Sequence, residues 1–332
     1  MRIAITGGTG FVGRNVARVL IAQGHSPVVL ARGFDHSDPK IREQVDFIRL
    51  GLDNTDELTT ALSGCEAVIH CAGINREVGN QTFKRVHVAG TALVIEACRR
   101  AQVRKVVLIS FLRARPNCGS GYHESKWAAE ELVRRGGLDY TILKCGVIYG
   151  QGDHMLNHLS HAFYTFPAFA FVGFRDMPIR PNAVEDVARI VALCAATNAL
   201  PRKTAAVLGP ETLTLREAVR RVAEAAGRKP IMFPMPLWFH RILGLCLERL
   251  MEVPMVSRAQ VRMLAEGLAE PAPECDAVPP EIAPRIRFTP EQIRKGLPRP
   301  GPFTLRDLRC CKLARHSHTS HSAHKRVFFE MP

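Results

Sequence analysis

The stretch "RIAITGGTGFVGRNVARVL", residues 2–20, decides the fold. A short β-rich apolar run is followed at once by glycines at 7, 8, 10 and 13, and then by helical spacing. A strand that feeds a glycine turn at the mouth of a helix makes a grip for phosphates. Gly7 permits the tight turn, Gly10 lets the backbone approach a pyrophosphate, and Gly13 lets the helix pack close on the strand. Thr9, Phe11 and Val12 complete the expected cradle, where the helix N-terminus offers N–H donors and a positive dipole.

The same rhythm continues outward to about residue 150. Strand-like runs occupy residues 26–31, 45–50, 67–72, 105–110 and 140–145, with helix-like segments at 12–23, 56–62, 82–101 and 122–134. Alternation of this kind implies βαβ units and a parallel sheet covered on both faces. The expected class is α/β: a Rossmann-type doubly wound parallel sheet with a smaller C-terminal substrate lobe. Residues 1–150 are assigned to the nucleotide-binding domain, and 178–206, with the helical "AVEDVARIVALCAA" (183–196), return to it. Residues 151–177 and 207–305 form the lobe. There "FYTFPAFAFVGF" (163–174) is dense in aromatics but broken by Pro and Gly, and "TLREAVRRVAEAAG" (214–227) starts at a Thr cap, has Glu217 three residues on, and stops at a glycine. Residues 306–332 are basic, His-rich and without apolar periodicity, which predicts a flexible tail.

Composition narrows the function classes. With 332 residues, 46% of them hydrophobic, the chain can bury a large core and is neither fibrous nor wholly disordered. Ten scattered cysteines without C-x-x-C spacing, and an opening on an apolar strand rather than a signal peptide, lead to the expectation of a reducing cytoplasm. No run of roughly 18 uncharged apolar residues appears, so no transmembrane helix is expected. "PLWFHRILGLCLERLMEVPM" (236–255) is interrupted by His240, Arg241, Glu248, Arg249 and Glu252 and reads as an amphipathic helix. Its apolar face is covered by protein or laid on a membrane surface, with protein the expected cover. The formal charge is +14, yet from residue 285 onward eleven Lys or Arg stand against three Asp or Glu, so the basic character is mostly a property of the tail. No specific nucleic-acid site is expected, and steep salt dependence is what such binding through the tail would show. His316, His318, His321 and His324, with Cys310 and Cys311, match no structural zinc spacing, and no metal is expected.

"GSGYHESKWAAEE" (119–131) sets Tyr122 and Lys126 four residues apart, on one face of a helix. A phenol ordinarily titrates near about 10, and a close ammonium favours its phenolate. The pair becomes informative beside its neighbours. T-G-G-T-G-F-V-G (6–13) resembles the G-x-x-G-x-x-G fingerprint of the extended and atypical short-chain dehydrogenases/reductases, and Tyr122-x-x-x-Lys126 resembles their Y-x-x-x-K. "VIHCAG" (68–73) resembles their loop under the cofactor, "HVAGTALVIEA" (87–97) their V-N-V-x-G-T helix, "YTILKCGVIYGQGD" (140–153) their R-P-x-x-x-Y-G segment, and "PNAVEDVARI" (181–190) their V-x-D-V-A helix. The likeness spans roughly residues 1–300, and "VLGPETLTLREAV" (207–219) is most similar to the atypical branch that holds the complex I 39 kDa-type subunit and its bacterial relatives.

The resemblance implies a nicotinamide cofactor against Cys71, Ala72, Gly73, Cys145 and Val147. Lys126 would bond the nicotinamide ribose, and Tyr122 would pass a proton while the cofactor passes hydride. Ser110 is the candidate to polarise the substrate oxygen, although extended members place that hydroxyl a residue or two beyond the strand, where Phe111 and Leu112 stand here. His87 replaces the usual asparagine, Lys144 an arginine and Cys145 a proline. Arg32 follows the second strand where an acid would favour NAD(H), so NADP(H) is the expected cofactor; Asp35 or Asp38 would restore NAD(H). Asp53 is the nearest adenine-side acid. The expected activity is hydride transfer between the cofactor and a carbonyl or alcohol carbon. The aromatic run points to an apolar small-molecule substrate, quinone-, isoprenoid- or sterol-like, unless it is ordinary core packing. Two alternatives stand: an NADPH-holding structural or assembly protein without turnover, and a nucleotide-sugar epimerase or dehydratase. Helices at 82–101 and 122–134 are where the family commonly forms homodimers, and peripheral membrane contact is the second expectation for localisation.

Overall fold

The computed structural model describes residues 1–33, 39–251, 255–304 and 307, with residues 39, 40 and 258 described by backbone alone. Asp35, Asp38, Cys310, Cys311 and the tail histidines lie outside the described residues.

From the N-terminus the chain runs β1 (Arg2–Thr6), α1 (Phe11–Ala22), β2 (Ser26–Ala31), α2 (Pro39–Gln44), β3 (Asp46–Arg49), α3 (Thr55–Leu62) and β4 (Ala67–His70). A π-helical turn (Lys84–Ala89) leads into α4 (Gly90–Arg100), followed by β5 (Lys105–Phe111), α5 (Gly121–Arg134) and β6 (Asp139–Cys145). Next come β7 (Ile148–Tyr149), α6 (His154–Thr165), β8 (Ala168–Val172), β9 (Pro178–Ile179), β10 (Asn182–Ala183), α7 (Val184–Ala196) and β11 (Lys203–Val207). The remainder is β12 (Leu213–Thr214), α8 (Leu215–Ala225), β13 (Ile231–Met235), α9 (Leu237–Leu250), α10 (Arg258–Glu266), β14 (Asp276–Ala277) and α11 (Pro290–Gly296).

Eight strands form one parallel sheet in the order β14-β11-β6-β5-β4-β1-β2-β3. The pleat sends Ile3 and Ile5 to one side, where they meet Val16 and Leu20 of α1 and Val187 and Val191 of α7. Ala4 and Val28 point to the other side, with Leu58 of α3, Val94 of α4 and Val133 of α5. Both faces are dry, which is why these strands read as continuous apolar runs; each fully buried Ile or Leu contributes about 1.5–3 kcal/mol. Strand order reverses between β1 and β4, so a crevice opens at their carboxyl ends, the place where doubly wound sheets take ligands.

α7 and β11 lie in this layered body, α7 against α1 and β11 beside β6, and the two-residue β14 adds a further edge from within the span expected for the lobe. The lobe has its own core of Phe163, Phe171, Val219, Val222, Phe288 and Ile293. Thr214 caps α8 by accepting from the Glu217 amide at 3.0 Å, as its spacing predicts. The aromatic run 163–174 divides. Phe163 and Phe171 are buried with Phe169 edge-on to both at 5.5 and 5.8 Å, which is core packing, while Phe166 and Phe174 stand exposed. Among the described residues no helix is long and apolar enough to cross a membrane.

Candidate functional site

The turn after β1 is shaped by what glycine lacks. Gly7 has φ +68°, and a Cβ there would lie 2.8 Å from the Ala72 Cα; a Cβ on Gly13 would lie 2.5 Å from the Gly7 carbonyl oxygen. Gly8, which the spacing argument left without a role, sits against Val29, where a Cβ would meet Cγ1 at 2.8 Å. Gly10 is exposed and N-caps α1 without any side-chain cap, so the first-turn amides, with Thr9, Phe11 and Val12 half-buried around them, face the crevice mouth. A floor that no side chain fills, rimmed by N–H donors at a positive helix end, fits a pyrophosphate. Arg14 closes the rim by donating to the Gln151 carbonyl at 3.0 Å, a contact 137 residues apart that spacing does not show.

Arg32 is exposed beyond β2. The β2–β3 register sets Ala31 opposite Arg49, and the Arg49 Nε donates to the Arg32 carbonyl at 3.1 Å. A second guanidinium therefore stands beside Arg32, a residue that sequence reasoning missed because only strand pairing brings it there. Asp53 is exposed and lies 3.7 Å from Arg85 in an ion pair.

At the other end of the crevice α5 follows its N-cap Ser120 and presents Tyr122 and Lys126 on one face. Lys126 Nζ donates to the Ile109 carbonyl at 3.1 Å, and a Cβ on Gly73 would lie 3.4 Å from both Nζ and the His87 Nε2. The structure thus brings Gly73, His87, Tyr122 and Lys126 together. Tyr122 is buried among edge-on rings: Phe111 at 5.3 Å, Phe83 at 5.6 Å, His87 at 5.7 Å and His123 at 6.0 Å. Burial pushes its phenol above the ordinary value, reinforced by Cys145. That runs opposite to the lowering expected from the Lys126 ammonium. Burial in turn lowers the Lys126 pKa, opposed by Cys71, Glu130 and Cys145.

The π-helical turn explains His87. Segment 82–101 was expected as one helix; instead its first part widens and points the imidazole back at the loop. The Ile74 amide donates to His87 Nε2 at 3.1 Å, so Nδ1 carries the proton and donates to the Ser125 hydroxyl at 2.9 Å, which in turn donates to the Tyr122 carbonyl. Burial, with Lys126 nearby, lowers the His87 pKa to about 2, and it is neutral. His70 is likewise held neutral, lowered to about 3 by burial, between Thr6 and Thr91. Cys71 and Cys145 face the same ammonium, yet burial pushes both thiols up to about 12, so neither is a nucleophile. Val147 is half-buried and accepts through its carbonyl from the Asn182 amide at 2.8 Å.

Ser110 does not join this group. Its hydroxyl donates to the buried Glu130 carboxylate at 2.5 Å, two turns of α5, about 12 Å, beyond Tyr122. Glu130 also accepts from Arg134 at 2.8 Å and lies 3.7 Å from Lys144, whose Nζ donates to the Ala114 and Ala272 carbonyls. Serine and lysine belong to one buried ionic cluster. Phe111 and Leu112, the positions beyond, are both buried. Among the described residues no group of three or more His, Cys, Asp or Glu is arranged to hold a metal.

The NAD(P)H-binding family model matches residues 7–161. Ceramide reductase from Caulobacter vibrioides is 31% identical over 235 residues, covering 70% of this chain and 73% of that protein. The mitochondrial NADH dehydrogenase (ubiquinone) 1 alpha subcomplex subunit 9 of Mus musculus is 25% identical over 251 residues, covering 73% and 66%. Among solved structures, UDP-glucuronic acid 4-epimerase from Bacillus cereus in complex with NAD has a TM-score of 0.68 at 15% identity, covering 89% and 97%, a likeness of fold. An uncapped glycine turn in the crevice, facing a tyrosine and lysine on α5, agrees with these matches, and the chain belongs to the NAD(P)-binding atypical short-chain dehydrogenases/reductases of the epimerase/dehydratase superfamily.

Proposed function

We propose that the protein is an NADP(H)-dependent oxidoreductase acting on a carbonyl or alcohol carbon of an apolar small molecule. One observation carries the reading: a desolvated Lys126 amine held at 3.1 Å by the Ile109 carbonyl under the Gly73 loop, one turn along α5 from buried Tyr122. The nicotinamide supplies hydride when bound. Tyr122, whose proton burial retains, is suited to protonate an oxygen that becomes anionic as its carbon is reduced. The Lys126 ammonium would orient the ribose and offset negative charge at the phenol. Arg32 and Arg49 favour NADP(H) over NAD(H). The apolar substrate class is supported by the ceramide reductase relative.

The test is a screen of NADPH oxidation against quinones, long-chain ketones and aldehydes. Tyr122→Phe is expected to lower kcat by roughly 10²–10⁴-fold with NADPH affinity within about twofold. An active substrate turned over equally well by Tyr122→Phe would refute the proposal. The engagement of Ser110 with Glu130 favours a second reading, in which NADPH is held tightly without turnover as part of an assembly, in the branch of the complex I 39 kDa-type subunit. Protein that purifies with NADPH and oxidises it with no member of the panel supports that reading. Nucleotide-sugar epimerisation has only the likeness of fold in its favour.

A further inference from the structure

α9 is a 14-residue helix with only two buried residues, His240 and Gly244. Its inner side is fixed to the lobe, His240 Nε2 donating to the Ala170 carbonyl of β8 at 3.2 Å. Its outer side carries Trp238, Arg241, Ile242, Cys246 and Arg249, spaced i, i+3, i+4, i+8 and i+11, a single stripe facing solvent. Trp238 is 62% exposed and Ile242 55%.

The stripe does not stand alone. β13 pairs with β8, and the pleat turns Ile231 (71% exposed) and Phe233 (40%) to one side. Where β8 ends, the Gly173 amide bonds the Met235 carbonyl and a Cβ on Gly173 would lie 3.7 Å from Leu237, which places exposed Phe174 at the head of α9. Exposed apolar side chains thus stand both on the small sheet and on the helix that follows it. Folding has spent no apolar area on covering them.

We propose that this face docks the protein on an anionic lipid bilayer. Its charges argue for that occupant. Arg241 and Arg249 lie within the stripe, and Arg175 and Lys229 stand exposed beside Phe174 and near Ile231. Aromatic and aliphatic side chains on a helix punctuated by arginines suit the headgroup boundary, where the rings sink and the guanidiniums reach lipid phosphates. A second copy of the chain is disfavoured as the occupant, because a twofold contact would bring these cations against their own likes. The inference is independent of hydride chemistry.

Flotation of the full chain with phosphatidylcholine vesicles, with and without roughly one third phosphatidylglycerol, tests it. Wild type is expected to float with the anionic vesicles, with a blue shift of Trp238 emission, and to be released by salt. Trp238→Glu/Ile242→Glu is expected to reduce flotation at least tenfold while NADPH affinity stays within twofold. The cofactor affinity shows that the variant is folded, and it would survive even if the hydride-transfer reading failed. The basic tail is intact in both proteins. Equal flotation by the double variant would assign any binding to the tail and overturn the proposal. So would failure of wild type to float at low salt, or a dimer that the double variant dissociates.

Discussion

Arg49 shows what one residue contributes and how hidden it was. In the sequence it is one arginine among many; across β2 and β3 it bonds the Arg32 carbonyl and sets a second guanidinium beside Arg32, which the NADP(H) proposal assigns to a 2′-phosphate. An arginine–phosphate contact is worth roughly 1.5–3 kcal/mol. Arg32→Ala/Arg49→Ala is therefore expected to weaken NADPH at least tenfold and to leave NADH within about twofold, as measured by quenching of protein fluorescence. Equal loss for both cofactors would place the arginines away from the phosphate. Tyr122 and Lys126 were legible by contrast, because i to i+4 spacing fixes a shared helical face whatever the tertiary structure does. Ser110 was not: its position at the end of β5 was read correctly, but the buried carboxylate that accepts its hydrogen bond, Glu130, lies 20 residues on.

Glu266 joins elements that are far apart in the chain. At the end of α10 its carboxylate accepts from Arg115 at 2.8 Å and Arg262 at 3.2 Å, lies 3.5 Å from Arg113 and 3.7 Å from buried His123. Arg262 also donates to the Cys118 and Gly119 carbonyls ahead of α5. One carboxylate thereby ties the lobe to the loop that positions Tyr122. Glu266→Gln leaves three guanidiniums without their anion, and is expected to destabilise the protein by about 1–3 kcal/mol and to raise KM more than it lowers kcat. Thermal denaturation with steady-state kinetics measures both, and an unchanged melting temperature would show that the tie carries no load. The π-helical turn belongs to this scale too. Periodicity predicted a helix over 82–101, and nothing in its residue types signals the widened turn that aims His87 at Ser125 and Ile74.

Over the whole molecule, buried neutral histidines set the response to acid. Burial lowers His70 to about 3, His87 to about 2 and His123 to about 4, all below the ordinary 6.5. Below pH 6.5 the unfolded chain takes up protons that the native state refuses, so this contribution is whole above 6.5 and drains away as pH falls, by about 2 kcal/mol per histidine at pH 5. Asp153, pushed up to about 6 by burial, has the opposite sign: its contribution is present at low pH and lost as pH rises through 6, so it returns about 1 kcal/mol between pH 7 and 5. Guanidinium denaturation at pH 7.5 and 5.0 is expected to show a net loss of several kcal/mol at the lower pH. Equal midpoints would mean that the histidines are hydrated in the native state.

By itself the sequence determined the doubly wound sheet, the glycine turn and the tyrosine–lysine face. Each is written in local order: strand, turn and helix succeed one another along the chain, and the periods of two and 3.6 residues report which side of an element is dry. Only the tertiary structure decided that Arg49 joins Arg32, that Ser110 answers to Glu130, and that α9 keeps its apolar stripe outside. Strand register and helix rotation depend on residues distant in the chain, and an amphipathic pattern marks a face without saying what will cover it.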